Sequence, residues 1–244
     1  MRVMIIVAYD GTNYAGWQIQ KGQVTIEQKL NEALGELLQE EINVIGASRT
    51  DAGVHSLGSV AVFDTDTKIA PEKISYAANT YLPPDIVIQE SFEVDEDFHP
   101  RKCDSEKTYE YRILNRRMPL PQRAKDTYHY RYPLDIDKMR AAASYLIGPH
   151  DFKSFCSTHA QVKDTIRTIY SISILKEEDI ISIRVCGAGF LYNMVRIIAG
   201  TLIEVGAGRM EPQNVGEILK KCDRKYAGPT APAKGLTLIS IEFL

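Results

Sequence analysis

In the run Arg49-Thr50-Asp51-Ala52-Gly53-Val54-His55-Ser56 a single carboxylate stands beside a cation and a hydroxyl, bounded by two apolar, strand-like stretches. An aspartate has a reference pKa of about 3.9, so at neutral pH it is ionised and can act as a nucleophile without further activation. Asp-Ala-Gly is turn chemistry, because Gly53 tolerates positive φ and the Asp side chain can bond its own backbone. Such a bend lifts Asp51 off the strands, where a ligand can reach it. Taken alone, the plainer reading is a tight hairpin connection. Two further groups stand out. Arg196 lies in the otherwise apolar stretch 190–205, where an arginine needs a buried partner or an outlet to solvent along its stem. Tyr109 alternates with Lys107 and Tyr111, so on a strand the three side chains face one way; the plainer reading there is a core tyrosine.

Other chemistries find no support. The chain has no Gly-rich phosphate loop, and its five histidines lack metal-ligand spacing; His55, His99 and His150 read as loop-fixing hydrogen bonders. Cys103, Cys156, Cys186 and Cys222 lie far apart, which suggests neither a zinc site nor a disulfide framework and fits a reducing cytoplasm. The longest apolar stretch, Phe190 to Val205, is interrupted by Asn193, Arg196, Gly200 and Glu204, and reads as a buried helix with no membrane span. Net charge is −3, unevenly spread: residues 1–100 carry 6 Lys/Arg against 16 Asp/Glu, whereas 101–131 carry 9 against 4. A basic middle in an acidic chain suits a local polyanion groove, or a solvated loop.

These residues need elements to position them, and 244 residues suffice for two small domains. The first half reads as a strand at Arg2–Asp10 and a helix opened by the capping-box pattern Thr25-Ile26-Glu27-Gln28. Strands follow at Ile42–Ala47 and Gly58–Phe63, then a helix at Pro71–Asn79 and a strand at Ile86–Phe92. The second half reads as a strand at Lys107–Leu114, a helix at Asp135–Ile147, and a hairpin of Ile166–Leu175 with Ile180–Val185. The buried helix, an extra helix near Val215–Cys222 and a closing strand at Leu236–Phe243 complete it. Both halves spell βαββαβ. The expectation is an α+β protein of two RRM-like/ferredoxin-like domains, 1–104 carrying the Asp51 loop and 105–244 carrying Tyr109 and Arg196. Their antiparallel sheets would lie side by side, with an RNA-binding cleft between them.

Five segments, in order, carry a resemblance to a known family: Tyr9-Asp10-Gly11-Thr12 with Tyr14, Gly16, Trp17 and Gln18; Gly46 through His55; Phe98-His99-Pro100-Arg101 with Lys107 through Tyr111; Gly189 through Arg196; and Ala227 through Leu236. Together they resemble, nearly end to end, the tRNA pseudouridine synthase A family, which acts on positions 38–40 of the tRNA anticodon arm. Ser48, Ala188, Asn193 and Cys103 depart from the family's usual residues and put backbone geometry and substrate range in question. The resemblance implies an isomerase needing no cofactor and no metal, which breaks the glycosidic bond of uridine, turns the base and rejoins it through carbon 5. It implies Asp51 as catalyst, by attack on the anomeric carbon or by removal of a ribose proton. It also implies Tyr109 stacked on the base and taking the carbon 5 proton, Arg49 holding the flipped nucleotide, and a homodimer sharing one tRNA. Arg196 would oppose the rise in carboxylate pKa that desolvation brings. Arg101, Lys102, Arg112, Arg116, Arg117, Arg123 and Lys125 are candidate phosphate contacts, and the loops at Lys153–Thr165 and Met118–Asp126 candidate selectors of substrate. Two other classes compete: a non-catalytic RNA-binding protein, which has no need of the Arg49-Thr50-Asp51 loop, and an aspartate-dependent hydrolase, which leaves the basic middle unexplained.

Overall fold

Alternating burial makes Arg2–Tyr9 the strand β1: Val3, Ile5 and Val7 are fully buried, while Ile6 and Ala8 point to the half-exposed side. In the computed structural model, which describes residues 1–158 and 164–244, the chain falls into two compact units. Met1–Ser105 with Thr237–Leu244 form the first, and Glu106–Leu236 the second.

The first unit continues with α1 (Ile26–Leu38), β2 (Ile45–Gly46), β3 (His55–Asp64), α2 (Pro71–Ala78) and β4 (Ile86–Val94). Thr25 caps α1 by accepting the Gln28 N–H. The Gln28 amide turns to Glu32 and does not reach back, so only half of the expected capping box forms. Ile26, Leu30 and Leu34 are fully buried in the core with Phe63, Ile74, Ile86 and Ile88; each such side chain contributes roughly 1.5–3 kcal/mol. β1 lies between β4 and β3, antiparallel to both, and β2 pairs with β3. The resulting strand order, 4-1-3-2, is that of a ferredoxin-like unit.

The second unit contains β5 (Ser105–Leu114), β6 (Tyr128–His129), α3 (Ile136–Ala143), β7 (Gly148–Asp151), β8 (Ile166–Glu177), β9 (Ile180–Gly187), α4 (Met194–Gly206) and α5 (Asn214–Lys221). Its antiparallel order is β5-β9-β8-β7, with β6 alongside β5. α3 packs on α4 and β8, with Met139, Ile197, Leu202 and Ile174 of these elements buried. The architecture is α+β, as expected. No helix among the described residues is long and apolar enough to cross a membrane.

Several boundaries differ from the sequence reading. The strand expected at Ile42–Ala47 shrinks to Ile45–Gly46, because the Val44 N–H is taken by the Asn31 side chain at 2.9 Å and not by a neighbouring strand. The helix expected to run to Ile147 tightens at Ser144–Leu146, and Gly148, at φ +101°, turns the chain into β7. α4 starts at Met194 and not at Phe190, since Asn193 adopts φ 61°, outside the helical well. The final strand β10 (Leu236–Phe243), read as closing the second half, pairs in parallel with β3 at Thr237↔His55 and packs with the first unit. Apolar alternation marks a strand without saying which backbone will accept its hydrogen bonds.

Candidate active site

Asp51 occupies the last turn before β3. Its carbonyl accepts the Val54 N–H at 3.1 Å, and Gly53, at φ +75°, closes the bend. Asp51 is half-buried, Arg49 exposed and Thr50 buried. The loop rests on the segment Tyr9–Trp17. The Tyr9 hydroxyl lies 2.8 Å from the Thr50 hydroxyl in a buried pair. The Trp17 N–H donates to the Thr50 carbonyl at 3.1 Å and the Gly53 N–H to the Tyr14 carbonyl at 3.2 Å. Gly16 sits at φ +94°, and a Cβ there would stand 2.5 Å from the Thr50 carbonyl oxygen and 3.1 Å from the Asp51 carbonyl carbon. Beneath this contact Trp17 is fully buried.

At the far end of the turn, His55 Nδ1 accepts the Gly11 N–H at 3.1 Å and has the Asp10 carboxylate 3.2 Å away. This contact ties the imidazole, and with it the start of β3, to the Asp10-Gly11 backbone. Tyr14 donates to Asp85 at 2.6 Å, and burial with this carboxylate raises its pKa well above the phenol range. Sequence reasoning found Tyr9-Asp10-Gly11 through Trp17 only as a matching segment. Its use is to hold Asp51 from behind, and the available signal was two glycines spaced among aromatic residues.

The second unit carries Tyr109 and Arg196. Tyr109, opposite Val185 on β9, is buried at 6% exposure and meets Phe190 edge-on, with centroids 5.3 Å apart at 88°. Tyr111, two residues on, is fully buried and donates to the Pro232 carbonyl at 2.9 Å; burial raises its pKa far above the usual phenol value. Arg196 lies in the first turn of α4. Its Nε donates to the Ala231 carbonyl at 2.8 Å and its Nη1 to the Asn193 side-chain oxygen at 2.7 Å. Both acceptors are neutral oxygens, and together they fix the orientation of the guanidinium. The Asn193 amide is fixed in turn by Ser157 at 2.8 Å.

The Ala227–Leu236 segment that supplies Ala231 lies directly against α4. The Gly228 N–H donates to the buried Thr201 hydroxyl at 2.9 Å, and a Cβ on Gly200 would fall 1.8 Å from the Pro229 carbonyl oxygen. This close approach gives both glycines their role, since a Cβ on Gly228 would likewise fall 2.6 Å from the Thr201 Cα.

Of the candidate phosphate contacts, Arg112 pairs with the buried Glu110 at 2.6 Å, Arg116 with Asp179 at 2.9 Å and Arg123 with Asp126 at 3.0 Å. Arg101 donates through Nε to the Gly46 carbonyl at 2.8 Å. Lys102 and Arg117 are exposed and make no ion pair among the described residues. Part of the positive charge of this stretch is therefore neutralised at home, and less of it is open to phosphates than the charge count suggests. Of the Lys153–Thr165 loop, residues 159–163 lie outside the described residues. No three His, Cys, Asp or Glu side chains gather as a metal set among the described residues.

Comparison with known proteins gives a consistent result. The family model described as tRNA pseudouridine synthase matches residues 5–101 and 142–243. The chain is 51% identical over 241 residues to the tRNA pseudouridine synthase A of Thermoanaerobacter sp. (strain X514), covering 99% of each. It is 46% identical over 241 residues to that of Acetivibrio thermocellus, again covering 99% of each. A likeness to the archaeal box H/ACA sRNP Nop10-Cbf5 complex, with TM-score 0.35 and 12% identity over 97% of this chain and 45% of that chain, is loose and adds nothing to this assignment.

Proposed function

We propose, for a chain that belongs to the tRNA pseudouridine synthase family, that Asp51 performs the chemistry on uridines 38–40 of the anticodon arm. The protein is an isomerase that converts uridine in tRNA to pseudouridine. The reaction breaks the N1–C1′ bond and forms C5–C1′; carbon 5 loses a proton and N1 gains one. The target uridine is stacked in its arm and must be turned out, at a cost of a few kcal/mol.

The observation that carries the reading is a half-buried carboxylate on a turn held from behind by buried hydrogen bonds and a glycine contact. Such rigidity suits a group that must meet one carbon within a fraction of an ångström. Asp51 either attacks the anomeric carbon or removes a ribose proton, and both routes need it ionised. Arg196, oriented by Ala231 and Asn193, supplies the charge that keeps a desolvated carboxylate anionic. Tyr109, edge-packed on Phe190, stacks on the base and takes the carbon 5 proton. Arg49, exposed two residues before Asp51, holds the flipped nucleotide. A homodimer sharing one tRNA rests on the family alone, and a cytoplasmic location only on the wide spacing of the four cysteines along the sequence.

The test is release of tritium from tRNA transcripts labelled at carbon 5 of uridine. Asp51→Ala is expected to abolish release while tRNA binding persists; turnover in that variant removes the assignment. Tyr109→Phe keeps stacking and loses proton removal, so parental release from it would exclude the phenol as the base.

A further inference from the structure

The segment Tyr128-His129-Tyr130-Arg131-Tyr132 plays no part in the site described above, yet it interleaves aromatic and basic groups within the second unit. Its three tyrosine rings form a ladder. Tyr128 and Tyr130 have centroids 6.2 Å apart, and Tyr130 and Tyr132 6.0 Å apart. Tyr132 is 53% exposed, and the exposed Arg131 lies over its ring, 4.6 Å from the centroid, while also donating to its hydroxyl.

The backbone beneath the ladder is pinned. The amide of buried Asn115 donates to the Tyr130 carbonyl at 2.9 Å and to the Tyr132 carbonyl at 2.6 Å. The Tyr130 N–H donates to the Leu114 carbonyl at 2.9 Å, and the Tyr130 hydroxyl accepts from Arg209 at 3.0 Å. A surface of this kind loses little freedom on binding, which favours affinity. It also ends the stretch 101–131, where Lys/Arg outnumber Asp/Glu by 9 to 4.

Resting on the tRNA reading above, we propose that Tyr132 and Arg131, backed by Tyr130 and Tyr128, form a stacking platform for unpaired nucleotides of the RNA substrate other than the flipped uridine. Tilted tyrosine faces accept any base by its π-face, and a guanidinium plane both stacks on bases and meets phosphates. A lipid surface would call for apolar side chains flanked by lysines, whereas here the cation is stacked on the ring itself. The platform thus contributes affinity with little sequence preference, leaving the choice of uridine to the catalytic loop.

The experiment uses the full-length protein with an unmodified tRNA transcript labelled at carbon 5 of uridine, and with an oligouridylate strand as the probe for unpaired RNA. Tyr132→Ala is expected to weaken oligouridylate binding by roughly five- to a hundredfold, the range for losing one stacked base. The loss in tritium release should fall mainly on KM and not on kcat. Tyr132→Phe keeps most of the affinity, and Arg131→Ala weakens it with a shallower salt dependence. Tyr76→Ala removes a tyrosine of the first unit that is 80% exposed and serves as the control, with KM unmoved.

Unchanged affinity in Tyr132→Ala overturns the proposal. So does an equal loss in Tyr132→Phe, which would make the hydroxyl the contact. A Tyr132→Ala protein that sediments differently when free would instead assign the ridge to contact between copies. If the substitution prevents folding, Tyr132→Trp decides: stacking quenches the new indole as oligouridylate is added, and an unquenched indole refutes the platform. A parent protein that binds RNA and releases no tritium would sink the isomerase reading while leaving these binding results to be judged on their own.

Discussion

Replacing Gly16 by alanine places a methyl carbon 2.5 Å from the Thr50 carbonyl oxygen, 3.1 Å from the Asp51 carbonyl carbon and 3.2 Å from the Ala52 nitrogen. All three are backbone atoms, so no side chain can swing aside. Relief to ordinary contact requires the 50–52 backbone to move by somewhat under 1 Å, and a displacement near 1 Å at a reacting group costs about 10²-fold in rate. A second penalty is separable: φ +94° is strained for any residue with a Cβ, at roughly 1–3 kcal/mol. Gly22 isolates that penalty, because it has φ +75° with nothing within 4 Å of its missing Cβ. Tritium release and thermal unfolding are then measured on both variants. Both should unfold a few degrees below the parent. Only Gly16→Ala should lose turnover, by about 10²-fold, with tRNA affinity nearly intact. Parental kcat in Gly16→Ala, or an equal kcat loss in Gly22→Ala, would refute the claim that this glycine sets the position of Asp51.

The Tyr9–Thr50 hydroxyl pair should show coupling: Tyr9→Phe and Thr50→Val each remove one side of a buried hydrogen bond, at about 0.5–1.5 kcal/mol by urea titration, while the double variant costs less than their sum. Additive losses would show that the pair is not bonded. Arg196→Lys keeps the charge but cannot meet both Ala231 and Asn193, so kcat should fall at least tenfold while tRNA affinity is retained. A loss confined to affinity would move Arg196 from the chemistry to binding. Glu204 gives a pH test. Hydrogen bonds from Arg209 hold its carboxyl below the usual carboxylate range, so its stabilising effect is present above the ordinary Glu pKa and is lost as pH falls through the lowered folded value. The urea midpoint of Glu204→Gln should therefore lie below the parent's at pH 7 and converge with it near pH 3; a constant gap would contradict this.

Local chemistry made much of the molecule legible before any coordinates. Strand alternation in Arg2–Tyr9, the apolar face of Ile26–Leu38 and the bend at Asp51–Gly53 follow from period, cap and glycine, all of which act over a few residues. The candidate residues were visible for the same reason: a lone carboxylate in a turn and an arginine on an apolar helix are anomalies of type and position. What lay beyond reach was the partner of each group. That Tyr9 would meet Thr50, that Gly16 would press on the Asp51 backbone, and that Ala231 would receive the Arg196 guanidinium are contacts across 35 to 41 residues of chain. Strand β10 was readable as a strand but not as a parallel neighbour of β3, and the basic stretch was readable as charge but not as charge spent on Glu110, Asp179 and Asp126. Periodicity and turn propensity are carried by neighbouring residues and are written in order along the chain; pairing is decided by which surfaces the folded backbone brings within a hydrogen bond's reach.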